Sequence, residues 1–188
     1  MKKLLLIIAI ILIGFGAKQA YLAYSTDDNA LYGIENKPVD LFDLDDPRVR
    51  IVYFGFTRCP DVCPTSLAML SGALNQIDPE TLQTLRPVFV TLDPERDSPE
   101  HSAEYAHYFH SSIEGVSGSV DAINELARRY SVIFHKTELK DSALKYTIDH
   151  SSYFYFLKPD GSLIRKVPHT ISPDPIVEAI QSLSLPAN

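Results

Sequence analysis

Positive charge is in short supply in this chain of 188 residues, with 17 Lys and Arg against 24 Asp and Glu and a formal net charge of -7. No basic cluster contradicts that average, so non-specific nucleic-acid binding is not expected. Tryptophan is absent, and the aromatic packing falls to ten Tyr and nine Phe. That composition suits a globular interior and points to no ligand. Gly-rich phosphate loops, internal repeats and low-complexity tracts are missing as well. No proline occurs between Pro99 and Pro159. Cysteine appears only twice, and both copies lie in "FGFTRCPDVCP", residues 54 to 64. With 45% hydrophobic residues the chain can bury one substantial core, and a single domain is the default.

The first residues set the compartment. Lys2 and Lys3 precede "LLLIIAIILIGFGA" (4 to 17), an apolar run of signal-peptide length that becomes a possible membrane span when extended through "KQAYLAY". Lys18 can snorkel, and Tyr21 and Tyr24 suit an interface. An uncleaved anchor over residues 1–24 is therefore favoured over a cleavable signal, whose small-residue pattern is weak here. Either way the basic start leaves the remainder outside the cytoplasm, on the extracytoplasmic (periplasmic) face, where the cysteines meet an oxidising environment. Residues 25–35 read as a tether, and 36–188 as the folded domain.

Within that domain, Val39, Leu41 and Leu44 can pair with a sheet edge. "VRIVYFGF" (49 to 56) has the continuous apolar character of a strand buried on both faces. Pro64 opens a helical stretch with Leu67, Leu70, Ala73 and Leu74 on one side, until "DPE" interrupts it. "PVFVTL" (87 to 92) is a second buried strand, and the strand–helix–strand order implies parallel pairing. Ser98 and Pro99 start a helix to about His110, and Ser119 caps another through Tyr130. "SSYFYFL" and "SLIRKV", joined by "KPDG", read as a hairpin. Asp174 and Pro175 begin a last helix ending near Leu183. The order predicts an α/β, thioredoxin-like fold: a mixed central sheet with flanking helices.

Pro60 and Pro64 push Cys59 and Cys63 toward extended backbone, and Pro64 suits a first helical turn. Cys63 is then expected at the helix N-cap, where N–H groups and the dipole favour a thiolate. Thiolates attack disulfides and bind metals, so a disulfide staple, a redox pair and a metal site all remain open. A staple is weakened because so short a loop constrains the unfolded chain little. The strand-to-helix turn at the carboxyl edge of a parallel sheet is also where α/β folds place chemistry. Thioredoxin-type oxidoreductases space their cysteines by two residues, and this chain uses three. Their cis-proline before the third core strand is absent, and Asp149-His150 stands in its place. Two thiolates and one imidazole make a soft donor set suited to Cu(I) rather than Mg²⁺ or Ca²⁺, and zinc would need a fourth ligand.

"YFGFTRCPDVCP" (53 to 64), "TLDPERDSPE" (91 to 100) and "YTIDHSSYFYFLKPDGSLI" (146 to 164) resemble, in order, the signature segments of the SCO/SenC family of copper-binding assembly factors. The resemblance covers about residues 36 to 183. It implies a membrane-anchored domain that binds copper, as Cu(I) or Cu(II), through Cys59, Cys63 and His150. It also implies a part in building the dinuclear copper centre of cytochrome c oxidase. The partners implied are a copper-acceptor subunit of the oxidase or another copper protein, and an upstream copper donor or thiol reductant. The compact stretch before the first core strand and the polar start of "HSSYFYF" depart from the family pattern.

Three activities follow from these residues. A metallochaperone holds copper on Cys59, Cys63 and His150. A thiol-disulfide oxidoreductase uses Cys59 and Cys63 as its catalytic pair, with the acceptor's cysteines as substrate. A peroxide-reducing thiol enzyme, suggested by Thr57 and Pro60 around Cys59, ranks last. Asp93 and Arg96 read as a solvated turn, and His101, His107 and His110 as an exposed helix face. Asp149 is expected to hydrogen-bond His150 and fix its tautomer. Tyr153 and Phe154 are expected to pack, with Tyr153 able to border the site, and His135 has no assigned role.

Overall fold

The computed structural model describes residues 30–183. The expected anchor, and the tether up to residue 29, lie outside them. Among the described residues no helix is long and apolar enough to cross a membrane.

The two buried strands are present and central. β3 (Val49–Gly55) and β4 (Leu85–Thr91) are buried along their whole length and pair in parallel, Val52 opposite Val88. Between them lie α1 (Val62–Leu74) and a short helix α2 (Pro79–Gln83), whose start at "DPE" is capped by Asp78. The expected interruption is thus a second helix. α3 (Pro99–Phe109) and β5 (Glu114–Gly118) follow, and β5 adds to β4 in parallel. α4 (Val120–Arg129) begins on the Ser119 cap, whose hydroxyl accepts from the Ala122 N–H at 3.0 Å.

On the other side of β3, the expected hairpin forms from β8 (Tyr153–Leu157) and β9 (Leu163–Pro168). β8 runs antiparallel to β3, with Tyr53 opposite Phe154. Gly161 takes φ 79° in the connecting turn, a conformation that disfavours other residues. α5 (Asp174–Gln181) closes the chain and packs on α1, which also meets α3. The far edge of the sheet is a short hairpin, β1 (Leu31–Tyr32) with β2 (Pro38–Val39), in which β1 also pairs with β5. The folded part therefore reaches back into the stretch expected as a tether, because buried Leu31 pairs with Gly118. The sheet order is β2-β1-β5-β4-β3-β8-β9.

A separate two-stranded arm, β6 (Phe134–Glu138) and β7 (Tyr146–His150), was not anticipated. Its sequence, "FHKTE" and "YTIDH", is mostly polar, with β6 largely exposed and β7 largely half-buried, so no apolar pattern announces it. Ile148 is its buried contribution to the core.

Candidate functional site

β3 delivers the chain to the carboxyl edge of the sheet, where residues 56–61 form the turn that carries Cys59. The helix that follows starts at Val62 rather than Pro64. Cys63 is therefore inside the first turn, a correction to its expected N-cap position, and Asp61 takes that place. The physical reason lies in the unpaired N–H groups of a helix start. The Cys63 N–H finds the Cys59 sulfur at 3.4 Å, which satisfies one of them in a helix that begins two residues earlier than the proline rule gives. Both cysteines are free thiols, Cys63 fully buried and Cys59 partly exposed.

Their environments drive them apart. A hydrogen bond from Cys63, with those of the Cys63 and Asp61 N–H groups, lowers the Cys59 pKa to about 4 against the cost of burial. Hydrogen bonding to Cys59, burial and the Cys59 charge push the Cys63 thiol far up. The pair at neutral pH is one thiolate and one thiol.

His150 ends β7 and turns its imidazole to this pair, Nε2 lying 3.4 Å from Cys63 Sγ. Nδ1 is 3.1 Å from the Ser151 carbonyl, which can only accept, so Nδ1 carries the proton of the neutral ring and Nε2 presents its lone pair. The Cys63 thiol thus has one proton and two acceptors, the Cys59 sulfur and His150 Nε2. Tyr53 and Phe56 flank the imidazole edge-on, with centroids at 6.4 and 6.1 Å. The Tyr53 hydroxyl meets Ser152 Oγ at 2.9 Å, and burial, then the nearby Cys63, raises its pKa well above the usual tyrosine value. Asp149 does not fix the His150 tautomer, which corrects that expectation. Strand alternation turns it to the other face, where it accepts from Thr137 and meets His135 Nε2 at 3.4 Å.

"DPERD" is likewise not a solvated turn, because Asp93 and Asp97 are both fully buried. Asp93 pairs with Arg96 and accepts from the Tyr146 hydroxyl at 2.7 Å. Asp97, which sequence reasoning passed over, accepts from the Thr57 N–H at 2.9 Å, Thr57 Oγ1 at 2.6 Å and Thr91 Oγ1 at 2.7 Å. It ties the cysteine turn to the end of β4. The Thr57 hydroxyl is thereby committed to Asp97, which removes the basis for a peroxidase role beside Cys59. The signal available in the sequence was an acidic residue shortly after a buried strand, but nothing in the pattern marks its partner 40 residues upstream.

Other expectations hold or shift slightly. His101 and His107 are exposed on α3, and His110 accepts from the Ser112 N–H at 3.1 Å. Phe154 packs on Tyr53 at 5.1 Å, and Tyr153 contacts Tyr155 and Lys166. Among the described residues no His, Cys, Asp and Glu are gathered as a ready metal cage.

A thioredoxin-like sheet with an ionised cysteine, a buried thiol and an imidazole acceptor defines a dithiol–histidine site on an oxidoreductase-type scaffold. The family model SCO1/SenC matches residues 35–184, and the chain belongs to that family. It is 38% identical over 139 residues to the mitochondrial protein SCO1 of Saccharomyces cerevisiae, covering 72% of this chain and 47% of that protein. Similarity to a SCO2-like protein of Rickettsia prowazekii runs to 31% over 196 residues and 95% of each chain. The copper-bound structure of ScoI from Arabidopsis thaliana superposes with a TM-score of 0.71 and 33% identity, over 80% of this chain and 92% of that one. The chain spans only about half the length of the yeast relatives it matches.

Proposed function

We propose that this protein is a copper metallochaperone that binds one copper ion through Cys59, Cys63 and His150 on the extracytoplasmic side of a membrane. Its cargo is then passed on in assembly of the dinuclear copper centre of cytochrome c oxidase. The observation that carries the reading is the approach of His150 Nε2 to Cys63 Sγ at 3.4 Å, beside the Cys59 sulfur. A soft cation replacing the Cys63 proton would meet two sulfurs and one nitrogen lone pair, a donor set that selects Cu(I). Copper bound to solved relatives supports the same choice of metal. The oxidase as destination rests on the family resemblance. The acceptor is a copper-binding oxidase subunit or another copper protein, and an upstream copper donor or thiol reductant keeps the site loaded and reduced.

Cu(I) binding to the reduced chain in competition with a chelator tests this. One-to-one binding is expected, weakened in His150→Ala by more than the about 10- to 100-fold that loss of an outer-shell partner costs. Equal affinity of the two proteins would remove His150 from the ligand set.

The Cys59 thiolate favours a second reading, reduction of a disulfide in the acceptor. Cys59 attacks one target sulfur and forms a mixed disulfide, and Cys63 gives up its proton and displaces Cys59's new partner. The target leaves as one thiol, carrying the Cys63 proton, and one thiolate that takes its proton from water, and the site is left as a disulfide, two electrons having passed. That activity requires both cysteines and is largely indifferent to loss of His150.

A further inference from the structure

The third donor is not on the main sheet, at whose carboxyl edge the two sulfurs stand. Among the described residues β6 and β7 pair with each other and with no strand of the main sheet. His150 closes β7, and Tyr146 opens it. Ser151 and Ser152 tie its end to β8, with Ser152 Oγ 2.9 Å from the Tyr53 hydroxyl, so where the imidazole stands depends on that link and on what fastens the rest of the arm to the body.

One polar fastening is concentrated at the Tyr146 end. Asp93, fully buried just beyond β4, accepts from the Tyr146 hydroxyl at 2.7 Å and pairs with Arg96. Arg96 donates through Nη1 to the carbonyls of Leu144 at 3.0 Å and Tyr146 at 3.1 Å. Its guanidinium carbon lies 3.6 Å from the centre of the Tyr146 ring, a cation–π arrangement. Lys136 of β6 adds a contact to Glu95 and stands 4.8 Å from the same ring. Burying a carboxylate and a guanidinium is costly unless both are satisfied, and Arg96 Nη2 is buried without a hydrogen-bond partner. Ile148 already anchors the arm to the core by an apolar contact. What the ionic contact supplies is orientation, since fork-shaped donors fix a strand's position and tilt together.

We propose that Asp93, Arg96 and Tyr146 form a latch of positioning residues that sets where His150 Nε2 stands against the two sulfurs and so tunes copper affinity. The inference rests on His150 being a ligand, as proposed above. It assigns "DPERD" a task in metal binding without making any of its residues a ligand.

The test uses the reduced full-length chain with Tyr146→Phe, which keeps the ring and its packing, and Arg96→Ala. Each is made alone and in the His150→Ala background. Cu(I) affinity is read by chelator competition, and the His150 imidazole nitrogen resonances are read in the metal-free protein, assigned by their loss in His150→Ala. Both latch variants are expected to shift those resonances and to lower affinity about tenfold, the scale of an outer-shell loss. In the His150→Ala background they should cost nothing more. Unmoved resonances, or an equal loss of affinity with and without His150, would overturn the latch in favour of a general structural role. If His150→Ala itself leaves affinity intact, the three-ligand reading fails separately. The resonances alone then judge the latch: a shift retains it as the device that places His150, and no shift ends it.

Discussion

Asp97→Ala removes one buried carboxylate and three hydrogen bonds, and its cost can be worked from their geometry. Oδ2 accepts from the Thr57 N–H and the Thr91 hydroxyl, and Oδ1 from the Thr57 hydroxyl. The two hydroxyls can rotate to other partners. The Thr57 N–H cannot, and an unsatisfied buried donor costs about 1–3 kcal/mol. Loss of the charge-assisted bonds adds to this, and relief of a desolvated carboxylate subtracts. The net expectation is a loss of about 2–4 kcal/mol in urea unfolding of the reduced protein. Asp97→Asn gives a different result. Its oxygen can occupy the Oδ2 position and keep both donors, while its amide donates to a reoriented Thr57 hydroxyl, so the cost should be about 1 kcal/mol. Because Thr57 is two residues from Cys59, the alanine variant should also speed alkylation of Cys63 by freeing the turn that covers it. Equal destabilisation by Asn and Ala would refute the hydrogen-bond reasoning and leave charge as the determinant. A cost below about 1 kcal/mol for Ala would refute the role of Asp97 altogether.

Two further outcomes can be stated. With its pKa lowered to about 4, Cys59 should alkylate at a constant rate through neutral pH and slow only as pH falls toward that value. Depression below the usual thiol value makes its stabilising contribution fully present above that value and lost as pH falls through the folded pKa. The raised Cys63 pKa acts oppositely, withdrawing stability as pH climbs past the ordinary thiol range. A rate that still rises with pH from neutral to alkaline would show Cys59 to be an ordinary thiol. Gly55→Ala would set a methyl 3.0 Å from Cys63 Sγ, 3.0 Å from Tyr53 and 3.1 Å from Phe89. Displacing the sulfur by a few tenths of an ångström should cost about 1–3 kcal/mol of stability and weaken Cu(I) binding, as chelator competition and unfolding would reveal. A variant with unchanged affinity and stability would show that the pocket has slack.

The parts of the fold with strong local signals were legible in the sequence, and the parts held by long-range polar contacts were not. β3 and β4 announce themselves as nearly continuous apolar runs, and Ser98 and Ser119 start helices as capping residues do, whereas Asp78, read as part of an interruption, also caps one. The "KPDG" turn and its hairpin are local chemistry too. β5, "EGVSG", carries two glycines and few large side chains. One of them, Gly115, is required because a Cβ there would stand 2.0 Å from the Ser102 carbonyl oxygen of α3. The arm of β6 and β7 escaped for the opposite reason, being mostly polar. Cys59, Cys63 and His150 could be singled out by residue type and by the missing proline, and the structure brings them together. Asp93 and Asp97 could not be placed, since a carboxylate after a strand looks the same whether it meets water or Tyr146 and Thr57 from distant parts of the chain. Asp149 failed differently: adjacency in a strand puts neighbours on opposite faces, so the residue beside His150 was the wrong one to support it.

The three-residue gap between the cysteines has a consequence for both proposed activities. It leaves Cys59 in the turn and Cys63 inside the helix, so that helix N–H groups point at the Cys59 sulfur and ionise it, while Cys63 stays buried and protonated. That asymmetry alone would serve a reductant. The imidazole adds a second acceptor for the Cys63 proton at the point where a metal would take that proton's place. A disulfide between Cys59 and Cys63 consumes both sulfur donors, so copper and the oxidised state exclude each other, and metal retention must track the redox state of the pair. His150 forms no bond to sulfur in the exchange, where it can only take up the Cys63 proton, whereas in the proposed site it is one of three donors to copper. The residue that separates the two activities is therefore the one on the arm and neither of the cysteines. Comparing Cu(I) retention with disulfide turnover in His150→Ala consequently measures which of them the site is built for.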